Sequence, residues 1–415
     1  MSTAAPAPTA PPRTAMLDVA GLSLTVQRGQ DRKPILASVS LSCAEGEIVG
    51  LVGESGSGKS MTLRTAVGLT PEHAEVGGRV QVSGRDVLGA TPRELAEVRS
   101  RTASMIFQDP RAHINPFQRI GTFLTEGLRL HRGQSKAEAT RTATALLTEV
   151  GLPDPARQLR QYPHELSGGM LQRVMIAAAL ASEPRLLLAD EPTTALDVTT
   201  QAEIMSILLR LRRDRGLSIV LVTHDLDLAV ACCDRIHVMY AGSIVESASA
   251  AELARAPRHP YTAALFAARP APGRAELRTV SGRPLGLSEV TGGCAFAPRC
   301  PRAAEVCHEA APENRESGGR AVRCHLADEL PGSGPVSPGP ADELPGSGPV
   351  SPGPADELPG SGPVSPGPAD ELPGPGPVSP DPADEPPGSA PVSPASSENP
   401  ERSVSSDPLT KGARP

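Results

Sequence analysis

The sequence predicts an α/β fold in which a parallel sheet is covered on both faces, preceded by antiparallel strands and interrupted by a block of helices. Three observations predict it. Short continuous apolar runs over 47–52, 185–189 and 218–222 read as buried strands; the first runs straight into a glycine-rich loop and then a helical pattern; and 117–166 is mostly helical between β/α segments.

Taken in order, residues 17–26 and 35–43 alternate apolar and polar side chains as paired strands do, separated by the polar stretch RGQDRK. The strand over 47–52 ends at the loop, and a helix follows over 61–69. Thr91-Pro92-Arg93-Glu94 combines a capping threonine, a proline at the first helical position and a glutamate three residues after the cap. Ser135 and Glu138 repeat the device at the head of a helix running to about 150. Helices are expected over 172–180 and 201–213, a weaker strand over 235–240, a hairpin through Ala241-Gly242, and a helical stretch ending near 256. In such a fold the functional groups are sought at the C-terminal ends of the parallel strands.

The 46 prolines and 40 glycines of this 415-residue chain are unevenly placed. From Ala327 the unit ADELPGSGPVSPGP recurs with a period of 14, starting again at Ala341, Ala355, Ala369 and Ala383. Each unit is too poor in apolar residues to bury a core, so 327–415 reads as a disordered tail. That tail holds 14 Asp and Glu against 3 Lys and Arg, so the whole-chain charge of −7 becomes slightly positive over the first 326 residues. No dense basic block points to nucleic acid. Residues 1–15 lack the apolar stretch of a signal peptide and read as a disordered extension. Nowhere do 18 uncharged apolar residues run together, so the chain is not expected to span a membrane itself. The expected organisation is a main domain over 16–256 and a cysteine-containing region over 257–326, followed by the tail.

Gly53, Glu54, Ser55, Gly56, Ser57, Gly58, Lys59 and Ser60 satisfy the phosphate-binding loop pattern in full, between a strand and the helix that begins by Met61. The glycines let successive backbone N–H groups turn toward phosphate oxygens, and the helix N-terminus adds a favourable dipole. Lys59 is suited to the terminal phosphates and the Ser60 hydroxyl to Mg²⁺. The strand over 186–189 ends in Asp190-Glu191, the first carboxylate placed for Mg²⁺ and the second for an attacking water. The next strand ends in Thr223-His224-Asp225, with His224 poised toward the departing phosphate, and Gln108 follows an apolar run over 104–107. ATP and Mg²⁺ are therefore the expected ligands.

Leu166-Ser167-Gly168-Gly169-Met170 decides the class, because it resembles the signature motif of ABC ATPases. With Gln108-Asp109-Pro110, Asn115-Pro116, Tyr162-Pro163-His164-Glu165, Val238-Met239-Tyr240-Ala241-Gly242 and His259-Pro260-Tyr261-Thr262, the chain resembles the ATP-binding subunits of ABC importers in the dipeptide/oligopeptide/nickel branch over about 16–326. The resemblance implies a P-loop ABC ATPase core with an inserted helical subdomain and an antiparallel β subdomain. It implies ATP hydrolysis with Glu191, His224 and Gln108 as catalytic residues, Gln108 also sensing Mg²⁺. It gives Ser167, Gly168 and Gly169 to the ATP of a partner cassette, and Asp197 to the loop crossing the dimer interface. The implied setting is peripheral, on the cytoplasmic side of the cell inner or plasma membrane. The implied partners are two membrane permease subunits, a paralogous ATPase in a heterodimer and, indirectly, an extracytoplasmic solute-binding protein. Peptide is the expected cargo, with nickel or another small solute as the alternative. The branch's basic residue after the signature is Leu171 here, and the aromatic expected to stack on adenine aligns with Val26, in a chain with no Trp, 3 Tyr and 5 Phe.

Cys43, Cys232 and Cys233 read as isolated small hydrophobes, whereas Cys294, Cys300, Cys307 and Cys324 form a late cluster with 5, 6 and 16 residues between successive members. Four thiolates at this spacing suit either zinc or an iron–sulfur cluster, or stay metal-free. The resemblance favours a [4Fe–4S] cluster with a structural role. Lying some 70 residues after His224, the cluster is expected to stand apart from the phosphate-handling motifs.

Overall fold

The computed structural model describes residues 14–29, 31–269 and 280–329. The N-terminal extension up to residue 13 and the repeats beyond residue 329 lie outside the described residues. Twelve strands are present among the described residues: β1 Ala15–Arg28, β2 Asp31–Ala44, β3 Ile48–Val52, β4 Ala74–Val82, β5 Arg85–Asp86, β6 Ala103–Ile106, β7 Leu186–Asp190, β8 Ser218–Thr223, β9 Arg235–Tyr240, β10 Ser243–Ser249, β11 Arg315–Ser317 and β12 Arg320–Val322. β1 and β2 run through the polar stretch that was expected to separate them, because β-pairing continues to the Arg28–Asp31 register.

The strands form a four-stranded antiparallel sheet ordered β2-β1-β4-β5 and an eight-stranded sheet ordered β11-β12-β10-β9-β3-β8-β7-β6. In the larger sheet β9, β3, β8, β7 and β6 are parallel, as the buried apolar runs predict, while β10, β12 and β11 extend it antiparallel. The β9–β10 hairpin expected through Ala241-Gly242 begins this edge, and the C-terminal region enters the main sheet through the pairing of Glu246 with Val322. A buried ion pair secures it, Arg320 Nη2 donating to Glu246 Oε1 at 3.1 Å, and Glu246 also accepts the Arg258 and His259 N–H groups.

Successive residues of the central strands feed two cores, as the period of two in a strand requires. Val49, Leu51, Leu186, Leu188, Val220 and Val222 pack toward the antiparallel sheet together with Leu24, Val39, Leu63 and Val98. Ile48, Val52, Leu187, Ala189, Ile219 and Leu221 pack on the other face against helices, including Leu171, Ile176, Ile204 and Leu208. The inserted helices Ile120–Arg132 and Lys136–Glu149 join this second core through Leu124, Ala143 and Leu147. Both anticipated capping boxes form: Thr91 and Glu94 exchange hydrogen bonds at the head of Pro92–Arg101, and Ser135 and Glu138 do so at the head of Lys136–Glu149. Each such cap contributes roughly 1 kcal/mol.

Candidate functional site

The tips of β3, β7 and β8 lie side by side, and their register brings the loops after Val52, Asp190 and Thr223 to one edge of the sheet. The loop after β3 demands glycine. Gly53 has φ +150°, and a Cβ there would lie 2.1 Å from the Met239 carbonyl oxygen; Gly58 has φ +103° and would meet Leu36 and Met239. A side chain at either position would push the loop off the strand beside it. Helix Lys59–Ala66 begins at once, with Gly58 as its cap.

Lys59 is buried, and its Nζ donates to the Gly53 and Glu54 carbonyls at 2.8 and 2.9 Å. Burial lowers its pKa, while Glu191, Asp190 and Glu54 oppose the shift. Ser60 Oγ donates to Asp190 Oδ1 at 2.7 Å. Asp190 is fully buried, burial raises its pKa, and its Oδ2 has no hydrogen-bond partner. A buried carboxylate with one orphaned oxygen beside a hydroxyl fits a hard divalent cation, whose preferred ligands are oxygens. The buried Ser57 hydroxyl is likewise without a partner.

Glu191 stands at φ +45°, a conformation non-glycine residues rarely adopt, which turns its side chain out of the strand direction. Its Oε2 accepts from Gln108 Nε2 at 2.9 Å and from Thr194 Oγ1 at 2.8 Å, and His224 Nδ1 lies 3.4 Å away. The three expected catalytic side chains thus meet at one carboxylate oxygen. His224 remains 66 % exposed, on the open side of the site. Thr194 was not singled out by sequence reasoning; its spacing from Glu191 is the signal that was available.

Ser167, Gly168 and Gly169 do not join this group. Ser167 caps helix Gly168–Leu180, which starts earlier than the expected 172 because the serine accepts the Met170 N–H. Asp197 caps Val198–Arg215, accepting from the Thr200 N–H and hydroxyl. The two caps are neighbours: a Cβ on Gly169 would lie 2.5 Å from Thr200 Cγ2. They form a second surface, separate from the cavity that the phosphate-binding loop lines.

That cavity, of about 780 Å³, runs from Gln108 and Glu191 past Ser55–Met61 to Lys33–Ile35 and Gly286–Glu289. Part of its wall, Gly286–Glu289, belongs to the C-terminal region, while none of the four late cysteines lines it. Arg299, the residue before Cys300, donates through both terminal nitrogens to the Glu54 carboxylate at 2.6 and 3.0 Å. It also holds the Ser281 carbonyl through Nε at 2.7 Å. Arg299 is buried and Glu54 half-buried, with side-chain exposures of 4 and 22 %. Tyr261 accepts the Glu54 N–H at 2.9 Å, and its ring packs with Tyr240 and Phe296 at centroid distances of 4.7 and 5.3 Å. Three of the chain's few aromatic side chains therefore support the loop from behind.

The four late cysteines share a neighbourhood without closing on a point. Among the described residues no group of three or more His, Cys, Asp and Glu side chains is placed to hold a metal ion, so the geometry does not support the expected cluster or a zinc site. The thiols still influence one another. Burial, with the nearby Cys294, Cys300 and Cys307, pushes Cys324 up to about 11, and the Cys294 N–H donates to the Cys307 carbonyl at 2.7 Å.

Comparison with known proteins gives the same picture. Residues 36–194 match the ABC transporter family, and 245–307 match the oligopeptide/dipeptide transporter C-terminal region. The chain is 42 % identical over 315 residues to the oligopeptide transport ATP-binding protein OppD of Salmonella typhimurium, covering 75 % of this chain and 94 % of that one. It is 43 % identical over 316 residues to the dipeptide transport ATP-binding protein DppD of Haemophilus influenzae, covering 75 % and 95 %. Among solved structures, the ATP-binding cassette MJ0796, a dimer in a post-hydrolysis state bound to ADP and Pi, superposes with a TM-score of 0.51 at 30 % identity. It covers 57 % of this chain and 99 % of its own length.

Proposed function

The chain belongs to the ATP-binding proteins of ABC transporters, in their oligopeptide/dipeptide branch, and from that premise we propose that it hydrolyses ATP to power the import of peptides through a membrane transporter. The observation that carries the hydrolytic reading is the meeting of Gln108, Thr194 and His224 on Glu191, beside the Ser60–Asp190 pair. In this reading the loop N–H groups from Ser55 to Ser60 and the Lys59 ammonium bind the phosphates. Ser60 and Asp190 would hold Mg²⁺, which would supply charge neutralisation on the phosphate oxygens. Glu191 orients the attacking water and takes its proton, and the Gln108 and Thr194 hydrogen bonds keep that carboxylate aimed.

Ser167, Gly168, Gly169 and Asp197 serve a partner cassette's ATP, since they lie away from this chain's own loop. We assign the partner to a paralogue, and the pair to two permease subunits fed by an extracytoplasmic solute-binding protein. The chain sits peripherally on the cytoplasmic side; among the described residues no helix is long and apolar enough to cross a membrane. For the four late cysteines we keep a structural [4Fe–4S] cluster as a reading carried only by four soft donors within one short stretch of sequence, against their placement among the described residues. Iron and sulfide analysis of anaerobically purified protein tests this, and colourless protein without iron refutes it.

The function is tested with the purified complex in vesicles. ATP-dependent uptake of a labelled oligopeptide is expected. Uptake indifferent to ATP, or a complex that turns over ATP without moving any peptide, overturns the proposal. The native mass of the complex is expected to contain two different ATPase chains; two identical copies refute the paralogue.

A further inference from the structure

Val26, where an aromatic residue would be expected to hold the base, is not among the residues that line the nucleotide cavity, although its partner Lys33 is. Val26 is paired within the antiparallel sheet, opposite Lys33 on β2 and Ala74 on β4. No aromatic side chain lines the cavity among the described residues. A valine offers the base no ring to stack on, and the cavity lining holds another apolar surface. With Glu191 and Gln108 at the terminal-phosphate end and Lys59 next, a nucleotide leads away past Ser60 and Met61 toward the opposite wall. That wall is Pro34 and Ile35 from β2, together with the turn Leu287–Glu289.

The turn is built to stay in place. Arg283 holds Glu289 through both of its terminal nitrogens, one of them 3.1 Å from Oε2. Glu289 Oε2 also accepts the Gly286 N–H at 2.7 Å, and the Glu289 N–H returns to the Gly286 carbonyl at 3.0 Å. Leu287 rests on the β9–β10 hairpin, where Gly242 at φ +76° leaves room for it. A Cβ there would lie 3.0 Å from Leu287 Cδ2 and 2.5 Å from the Ile35 carbonyl oxygen. Arg299 ties the chain just before this turn to the phosphate-binding loop, through the Ser281 carbonyl and Glu54. Leu287, Pro34 and Ile35 are each only half-buried, as side chains awaiting a further contact would be.

We propose that Leu287, with Pro34 and Ile35, forms an aliphatic slot for the base of the bound nucleotide, so that the C-terminal region supplies a binding residue of the ATP site. The inference rests on the reading of Lys59 and its loop as the triphosphate site. An aliphatic slot gains affinity by removing the faces of the base from water and by dispersion contact, without the ring stacking an aromatic provides. Leu287→Ala takes most of that contact away and leaves the phosphate contacts untouched.

The test measures dissociation constants of the full chain, with Mg²⁺, for ATP and for inorganic tripolyphosphate, which has no base. For Leu287→Ala the ATP constant is expected to rise about tenfold while that for tripolyphosphate stays put. Leu287→Phe is expected to bind ATP at least as tightly as the parent chain. An unchanged ATP constant in Leu287→Ala overturns the slot. An equal loss for both ligands also overturns it, because the turn would then act by bracing the phosphate loop. A parent chain that binds neither ligand defeats the triphosphate reading itself.

Discussion

The phosphate end of the cavity is made by residues 55–61 and by the tips of adjacent strands, whereas another part of its wall is residues 286–289, in a region that Arg299 ties to the loop across 245 residues of chain. At the first end, chemistry dictates the residue types. A loop that turns N–H groups inward needs glycine at φ +103° and +150°, a buried lysine needs carbonyls to hold it, and the water-facing carboxylate needs donors around it. At the second end the requirement is only an apolar wall and a fixed anchor, which many side chains satisfy. Strict demands leave a motif; loose ones leave only a structure.

Changing the strict end should have the largest effect. Glu191→Gln is expected to lower ATP turnover by about 10² or more while ATP binding persists, because Lys59, Ser60 and Asp190 are undisturbed. Near-normal turnover in the assembled complex would remove Glu191 from the chemistry. Arg299→Ala carries the comparison to the anchor. It leaves Glu54 as a half-buried charge without its partner, which costs about 1–3 kcal/mol. The expected fall in Tm is on the order of 5–10 °C, with weaker binding of ATP and tripolyphosphate together, and Arg299→Lys recovering part of both. Wild-type melting and binding in Arg299→Ala would mean the two ends are independent.

A smaller effect follows from pH. His237 and His259 are buried in the seam between the main sheet and the C-terminal region, and burial lowers both to about 3. Each is neutral in the fold at pH 7. His259 uses Nδ1 to accept the Tyr261 N–H at the head of helix Pro260–Ala267, a bond a protonated ring cannot make. Because the folded values lie below the ordinary 6.5, the stabilisation is full above that pH and is lost as pH falls toward 3. Melting curves between pH 6.5 and 5 should shift steadily downward, and flat curves would contradict the burial of these rings. Removing residues 330–415 should have the smallest effect, changing neither ATPase rate nor co-purification with permease; lost assembly would make the tail a docking element.

What the sequence made legible follows the same division. The central strands, both capping boxes and the residues around Glu191 were readable because backbone geometry or phosphate chemistry restricts them to few side chains. The start of the helix at Gly168 was missed, since apolar periodicity begins only after the cap that initiates the helix. β4 carries adjacent glycines at 77 and 78 that break its apolar alternation, and β11 and β12 are three residues each, too short for any period to register. Arg299 could not be found from spacing: it is 245 residues from Glu54, and one arginine among many gives no local sign of its partner. The cysteines show the opposite failure. Their sequence pattern suggested a closed ligand set, and the described geometry does not form one.

The separation of Glu54 from Arg299 also sets a timetable. The phosphate-binding loop leaves the ribosome within the first 60 residues, but β8, which pairs with the strand below it, comes some 170 residues later, and the arginine that fastens it is 245 residues away. At ordinary rates of synthesis that last interval is on the order of 10–50 s. Throughout it the glycine loop has no finished wall and no clamp. An incomplete chain therefore carries its phosphate-binding loop unclamped until residue 299 has been added.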